Sequence, residues 1–128
     1  MKKVKTKTTS QLKKKLDAIF SKYIRERDNG QCFTCHLKRE PKEMQNGHFV
    51  PRQYLATRYD ERNNNCQCYA CNMIYNGQPS MYAIKLKAKY GNGIIEELER
   101  LRHIVTKDYP YEEKIREYTE KYNTLIRD

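Results

Sequence analysis

The sequence predicts a mostly helical α+β fold, a single domain of helices around one short β-hairpin. Three observations carry this reading. Apolar residues recur at three- and four-residue intervals over residues 10–28 and again over 94–125, which is the pattern of amphipathic helices. Between these stretches, residues 31–68 hold turn residues (Pro41, Asn46-Gly47, Pro51) and short apolar runs but no sustained helical period. Two Cys-x-x-Cys pairs, Cys32/Cys35 and Cys68/Cys71, bracket that aperiodic stretch.

Residues 1–9 (MKKVKTKTT) carry four lysines, no acid and little to bury, so they read as a flexible basic arm. From Ser10, a suitable N-cap, the stripe Leu12, Leu16, Ile19, Phe20, Tyr23 and Ile24 runs to a stop near Asp28-Asn29-Gly30. Hairpin strands are expected around 44–50 and 64–68. A short helix should follow from Tyr69 to Tyr75, ended by Asn76-Gly77, and another should start at Pro79-Ser80 and stop at Gly91. Ile94, Leu98, Leu101 and Val105 make a further stripe, and beyond Pro110 so do Tyr111, Ile115, Tyr118, Tyr122 and Leu125. These two stripes pack on the domain core; their spacing also suits helix pairing, which leaves a homodimer seam as the alternative. A chain of 128 residues has room for one domain, 10–128, with its core at about 31–78 and a helical extension over 79–128. It has no room for a second core.

The net charge of +10 is unevenly spread. Residues 1–95 carry 19 lysines and arginines against 7 acids, while residues 96–128 carry 7 against 9. A polyanion meeting the cysteine-bearing part, with nucleic acid the first candidate, accounts for this better than a generally solvated surface. No apolar run resembles a membrane span or a signal peptide, so a membrane partner is excluded and a cytoplasmic setting is expected.

In a reducing cytoplasm, clustered cysteines are metal ligands before they are disulfides. Zinc favours four thiolates at tetrahedral corners, and a two-residue gap lets one tight turn offer two sulfurs to one ion. Cys32, Cys35, Cys68 and Cys71 therefore predict one structural Zn²⁺, whose binding supplies folding free energy to a chain poor in apolar residues. Cys66 and His36 are rivals for membership; the single-residue gap between Cys66 and Cys68 is a poorer chelate, and Cys66 reads otherwise as a buried free thiol.

The stretch between and just after the knuckles carries the chemistry. Gly47-His48-Phe49-Val50-Pro51 places a histidine on a short apolar segment, Asp60 to Cys68 leads into the second knuckle through Asn63-Asn64-Asn65, and Asn72 follows Cys71. The order is histidine, asparagine, asparagine. With the knuckles, this arrangement resembles the HNH (His-Me finger) nucleases. More narrowly, FSKYIRERD at 20–28, NGHFVPR at 46–52, TRYDERNNNCQCYACN at 57–72 and KYG at 89–91 resemble the phage NinG family, also called the Rap recombination nucleases, over roughly residues 16–100.

The resemblance implies a zinc-stapled ββα-metal core with flanking helices, in a phage or prophage protein that cleaves branched recombination DNA such as a Holliday junction or D-loop. It implies that Asn63 positions its loop by side-chain hydrogen bonds, although Asn64 or Asn65 are open to the same role by spacing. The residues suit the chemistry independently. Phosphodiester hydrolysis needs a base, and an imidazole with an ordinary pKa near 6.5 can take a proton from water, which makes His48 the candidate. Asn72 offers a neutral oxygen to a hard catalytic Mg²⁺ or Mn²⁺.

Many HNH enzymes carry an acid immediately before the base as a second metal ligand. Here that position is Gly47, as in NinG-like sequences, and Asp60 and Asn46 are the candidates for the missing ligand. Arg52, Arg58 and Arg62 are expected to clamp phosphates, with Lys85, Lys87 and Lys89 extending the basic surface. The alternatives are a non-catalytic zinc module that binds nucleic acid, and a nicking or sequence-specific HNH nuclease.

Overall fold

A computed structural model describes residues 6–127; residues 1–5 of the basic arm, and Asp128, lie outside the described residues. The fold is mostly helical α+β with a small two-stranded sheet and a four-cysteine cluster. Helix α1 spans Thr9–Arg27. Its N-cap is Thr8, two residues before the expected Ser10, because Thr8 and Gln11 exchange side-chain and backbone hydrogen bonds in a capping box. Beyond α1 the chain turns at Asn29 and Gly30, both with positive φ. A Cβ on Gly30 would lie 1.9 Å from the Arg39 carbonyl oxygen, so this position needs glycine for space as well as for conformation.

Strands β1 (Gln45–His48) and β2 (Asn64–Gln67) pair antiparallel, with Gln45 opposite Gln67 and His48 opposite Asn64. Alternation puts Asn46 and His48 on one face and Gln45 and Gly47 on the other. The connection is not plain loop: it contains the short helix α2 (Leu55–Arg58) and a 3-10 turn at Glu61–Asn63, neither signalled by periodicity over so few residues. After the second knuckle, Ala70–Ile74 forms a widened π-type turn, closed by the Tyr75 N–H donating to the Ala70 carbonyl at 2.9 Å. Helices α3 (Pro79–Tyr90), α4 (Ile94–Arg102) and α5 (Tyr111–Arg127) complete the chain. The α4 stripe stops short of its expected end: Val105 lies beyond the helix and is 83% exposed.

Among the described residues, the apolar interior is divided into three small clusters rather than one continuous core. Leu16, Phe20 and Ile24 of α1 meet Ile115 and Tyr118 of α5, so α5 has its apolar partner within the chain. Tyr82 and Leu86 of α3 meet Ile94 and Leu98 of α4. Between these lie Cys32, Met44, Cys66, Cys68 and Cys71. Polar links fasten the parts: Glu61 accepts from the hydroxyls of Tyr23 at 3.0 Å and Tyr118 at 3.1 Å, and pairs with Lys121 at 3.2 Å, tying α1 and α5 to the turn that enters β2. Among the described residues, no helix is long and apolar enough to cross a membrane.

Candidate metal centre and catalytic cleft

The four knuckle sulfurs, of Cys32, Cys35, Cys68 and Cys71, lie within 4.8 Å of one another. The Cys35 and Cys68 sulfurs are 3.7 Å apart, against about 3.8 Å for the edge of a tetrahedron with zinc–sulfur bonds of about 2.3 Å. Donor type, number and spacing thus fit one zinc-type ion. The Cys71 N–H points at the Cys68 sulfur at 3.4 Å, and the Phe33 N–H donates to the Cys66 carbonyl at 2.7 Å, which fastens the first knuckle to β2.

Cys66 and His36 are outside this cluster. The Cys66 thiol is buried, and burial together with the nearby Asp28 carboxylate pushes its pKa up to about 12, leaving an inert protonated thiol. The His36 Nε2 lies 2.7 Å from the Lys85 ammonium.

Beside the cage, a cleft of about 400 Å³ opens between α1, β1 and the turn after the second knuckle. His48, Asn72, Asn46, Arg52 and Asp17 line it. Two chain segments far apart in sequence thus bring the histidine and the last asparagine together. Asn72 follows a cage cysteine directly, its N–H donates to the Cys68 carbonyl at 3.0 Å, and its side-chain amide donates to the Gln45 Oε1 at 2.7 Å.

His48 is held through its neighbours. The Tyr82 hydroxyl donates to the Gly47 carbonyl at 2.8 Å. On the other side, the Asn63 Oδ1 accepts from the Val50 N–H at 2.7 Å, and its amide donates to the Val50 and Thr57 carbonyls, each at 3.1 Å. Asn63 is fully buried and has no exposed face toward the cleft. Its two neighbours are buried as well: the Asn64 amide donates to the carbonyls of Arg58 (3.0 Å) and Asp60 (2.7 Å), and the Asn65 amide donates to the Tyr82 hydroxyl at 3.1 Å.

Burial, then the charges of Arg52 and Arg58, push the His48 pKa down to about 4; the Asp17 carboxylate and the Arg58 backbone pull it only partly back. The imidazole is therefore neutral at neutral pH.

The Gly47 position has a steric explanation. A Cβ there would lie 1.9 Å from the Gln67 Oε1, and Gln67 is fully buried, with its amide anchored to the Thr34 hydroxyl at 3.0 Å and the Gly77 carbonyl at 2.9 Å. An acid at 47 would collide with Gln67.

The three arginines have unlike surroundings. Arg52 lines the cleft with its side chain 66% exposed. Arg58 is only 9% exposed, its guanidinium committed to Asp17 and to the Arg52 carbonyl, so it braces the cleft wall and is not free to clamp a phosphate. Arg62 pairs with Asp60 at 2.7 Å, and this pair lies outside the cleft. Asp60, which also caps the 3-10 turn through the Arg62 N–H, is thereby removed from the candidate metal ligands. Lys85, Lys87 and Lys89 are on α3, away from the cleft; Lys85 faces His36, and Lys89 lies 5.8 Å from the Phe33 ring centroid.

Asp17 is the site residue that sequence reasoning missed. It accepts from Arg58, from the Tyr59 hydroxyl at 2.7 Å and from Arg52 at 3.2 Å. Burial alone would raise its pKa, but these donors and charges outweigh it and hold the carboxylate below its ordinary range. Nothing local marks it, because all its partners lie across the fold in 52–59.

A family model described as Bacteriophage Lambda NinG protein matches residues 1–128. No curated protein and no solved structure matches.

Proposed function

The chain belongs to the bacteriophage NinG family, and from that premise we propose that it is a metal-dependent DNA endonuclease of the HNH kind, acting on branched recombination DNA. The observation that carries the reading is the shared cleft of His48 and Asn72, set against a four-thiol cage that fixes the chain one residue before Asn72. The order of β1, β2 and the helical turn at 70–74 supports reading this part as a ββα-metal core.

A neutral His48 accepts the proton of the water that attacks phosphorus; burial keeps it unprotonated at neutral pH, at the expense of basicity. Arg52, exposed at the rim, orients the phosphate, while Asp17 holds Arg58 and Arg52 in register. The Asn72 amide nitrogen is taken by Gln45, which leaves its oxygen for a hard divalent cation. When bound, Mg²⁺ or Mn²⁺ supplies positive charge to the phosphoryl and leaving oxygens. Asn63 acts as a positioning residue, fixing the backbone on which His48 is carried.

The test is Mg²⁺-dependent cleavage of a four-way junction and of the matching linear duplex, by the wild type and by His48→Ala. The junction should be cut faster than the duplex, and His48→Ala should lose about three orders of magnitude in rate while still binding DNA. Equal rates on the two substrates would remove branch selectivity; no cleavage of either would leave a zinc-dependent nucleic-acid-binding module.

A further inference from the structure

Gly47 excludes an acidic ligand beside His48, and the structure offers a substitute one residue earlier. Asn46 shares the His48 face of β1 and lines the cleft. Its amide nitrogen donates to the Asn64 Oδ1 at 3.0 Å. Its amide oxygen is buried and has no hydrogen-bond partner.

The orientation of that amide follows from the network behind it. The Asn64 nitrogen faces two carbonyls, those of Arg58 and Asp60, which can only accept. Asn64 must therefore turn its oxygen toward Asn46, and Asn46 must answer with its nitrogen. The remaining group of Asn46 is then an acceptor without a donor. Leaving such an atom unpaired costs about 1–3 kcal/mol, which calls for a ligand.

A neutral oxygen on the lining of the cleft suits a hard divalent cation. Asn72 lines the same cleft, and its nitrogen donates to the Gln45 Oε1, so its oxygen is the group left for a cation.

We propose that Asn46 is the second protein ligand of the cation that Asn72 holds, through the amide oxygen that Asn64 fixes. The assignment rests on the nuclease reading of the cleft. Two neutral ligands leave the cation its full charge, with phosphate and water completing its shell.

The test uses zinc-loaded full-length protein and Mn²⁺ alone as the probe, with free Mn²⁺ followed by electron paramagnetic resonance. Asn46→Ala should weaken Mn²⁺ binding about tenfold or more, and Asn46→Asp, which adds a negative charge at the same place, should tighten it. Both should keep one zinc per chain and a cooperative melting transition, at a somewhat lower temperature because the buried Asn64 oxygen loses its donor. If both variants bind Mn²⁺ within about twofold of wild type while Asn72→Ala loses it, the Asn46 assignment is overturned and the nuclease reading stands. If the wild type binds no Mn²⁺, with or without duplex DNA, both fall.

Discussion

The cysteine cage and the His48 cleft adjoin each other and are built on opposite plans. In the cage every donor faces another donor: four sulfurs lie within 4.8 Å, and the nearby backbone N–H groups turn inward to them. In the cleft, a frame of buried, hydrogen-bonded side chains lies behind the groups that line the opening. Asn63, Asn64, Asn65 and Tyr82 form a buried polar frame that fixes Asn46 and the backbone around His48, while Gln45 holds the Asn72 amide. A site closed on itself supplies folding energy; a site left open on a rigid frame supplies chemistry. The two are distinguishable because perturbing one should be global and perturbing the other local.

The largest expected effect is therefore on the cage. Removing zinc with a chelator, or replacing Cys68 by Ser, should abolish the cooperative unfolding transition, since the cluster around Cys32, Cys66, Cys68 and Cys71 has little else to hold it. Circular dichroism and calorimetry check this; a zinc-free protein that melts as sharply and as high as the loaded one would break the comparison from the cage side.

Next is the frame. Asn63→Ala leaves the Val50 N–H and two carbonyls without partners in a buried place and should cost about 3 kcal/mol in denaturant unfolding. It should retain one zinc per chain.

The smallest effect concerns His48 itself. Unfolded, its imidazole takes a proton near 6.5; folded, it resists until about 4. The unfolded state thus binds the extra proton within that window, and stability falls as the pH drops from 6.5 toward 4, then levels off. Between pH 7 and 5 the wild type should lose about 2 kcal/mol more than His48→Ala does. Urea unfolding at the two pH values measures the difference, and equal losses would contradict a buried neutral imidazole.

What the sequence made legible was what is local or ordered along the chain. The knuckles could be read because two-residue gaps fix the distance between sulfurs, and the helical stripes because burial repeats with the turn. The fold class and the positions of both strands followed from these. The cleft was legible only as an order of residue types. Asp17, Tyr82 and the Asn46–Asn64 pair make contacts across 17 or more residues, and no spacing announces them. Arg58 shows the same limit from the other side: its position between His48 and Cys68 suggests a phosphate clamp, but Asp17, from a helix it meets only in the fold, takes its charge. The triple asparagine is intermediate. Spacing singled out Asn63, yet all three are fully buried and each supports a different part of the frame.

The central claim is that cage and cleft separate structure from chemistry, and the most direct measurement takes both readings from one His48→Ala sample. The account predicts one zinc per chain, an unchanged melting transition at neutral pH, and single-turnover junction cleavage in Mg²⁺ about three orders of magnitude below wild type. A His48→Ala protein that cuts the junction at the wild-type rate, or that loses its zinc together with its activity, would contradict it.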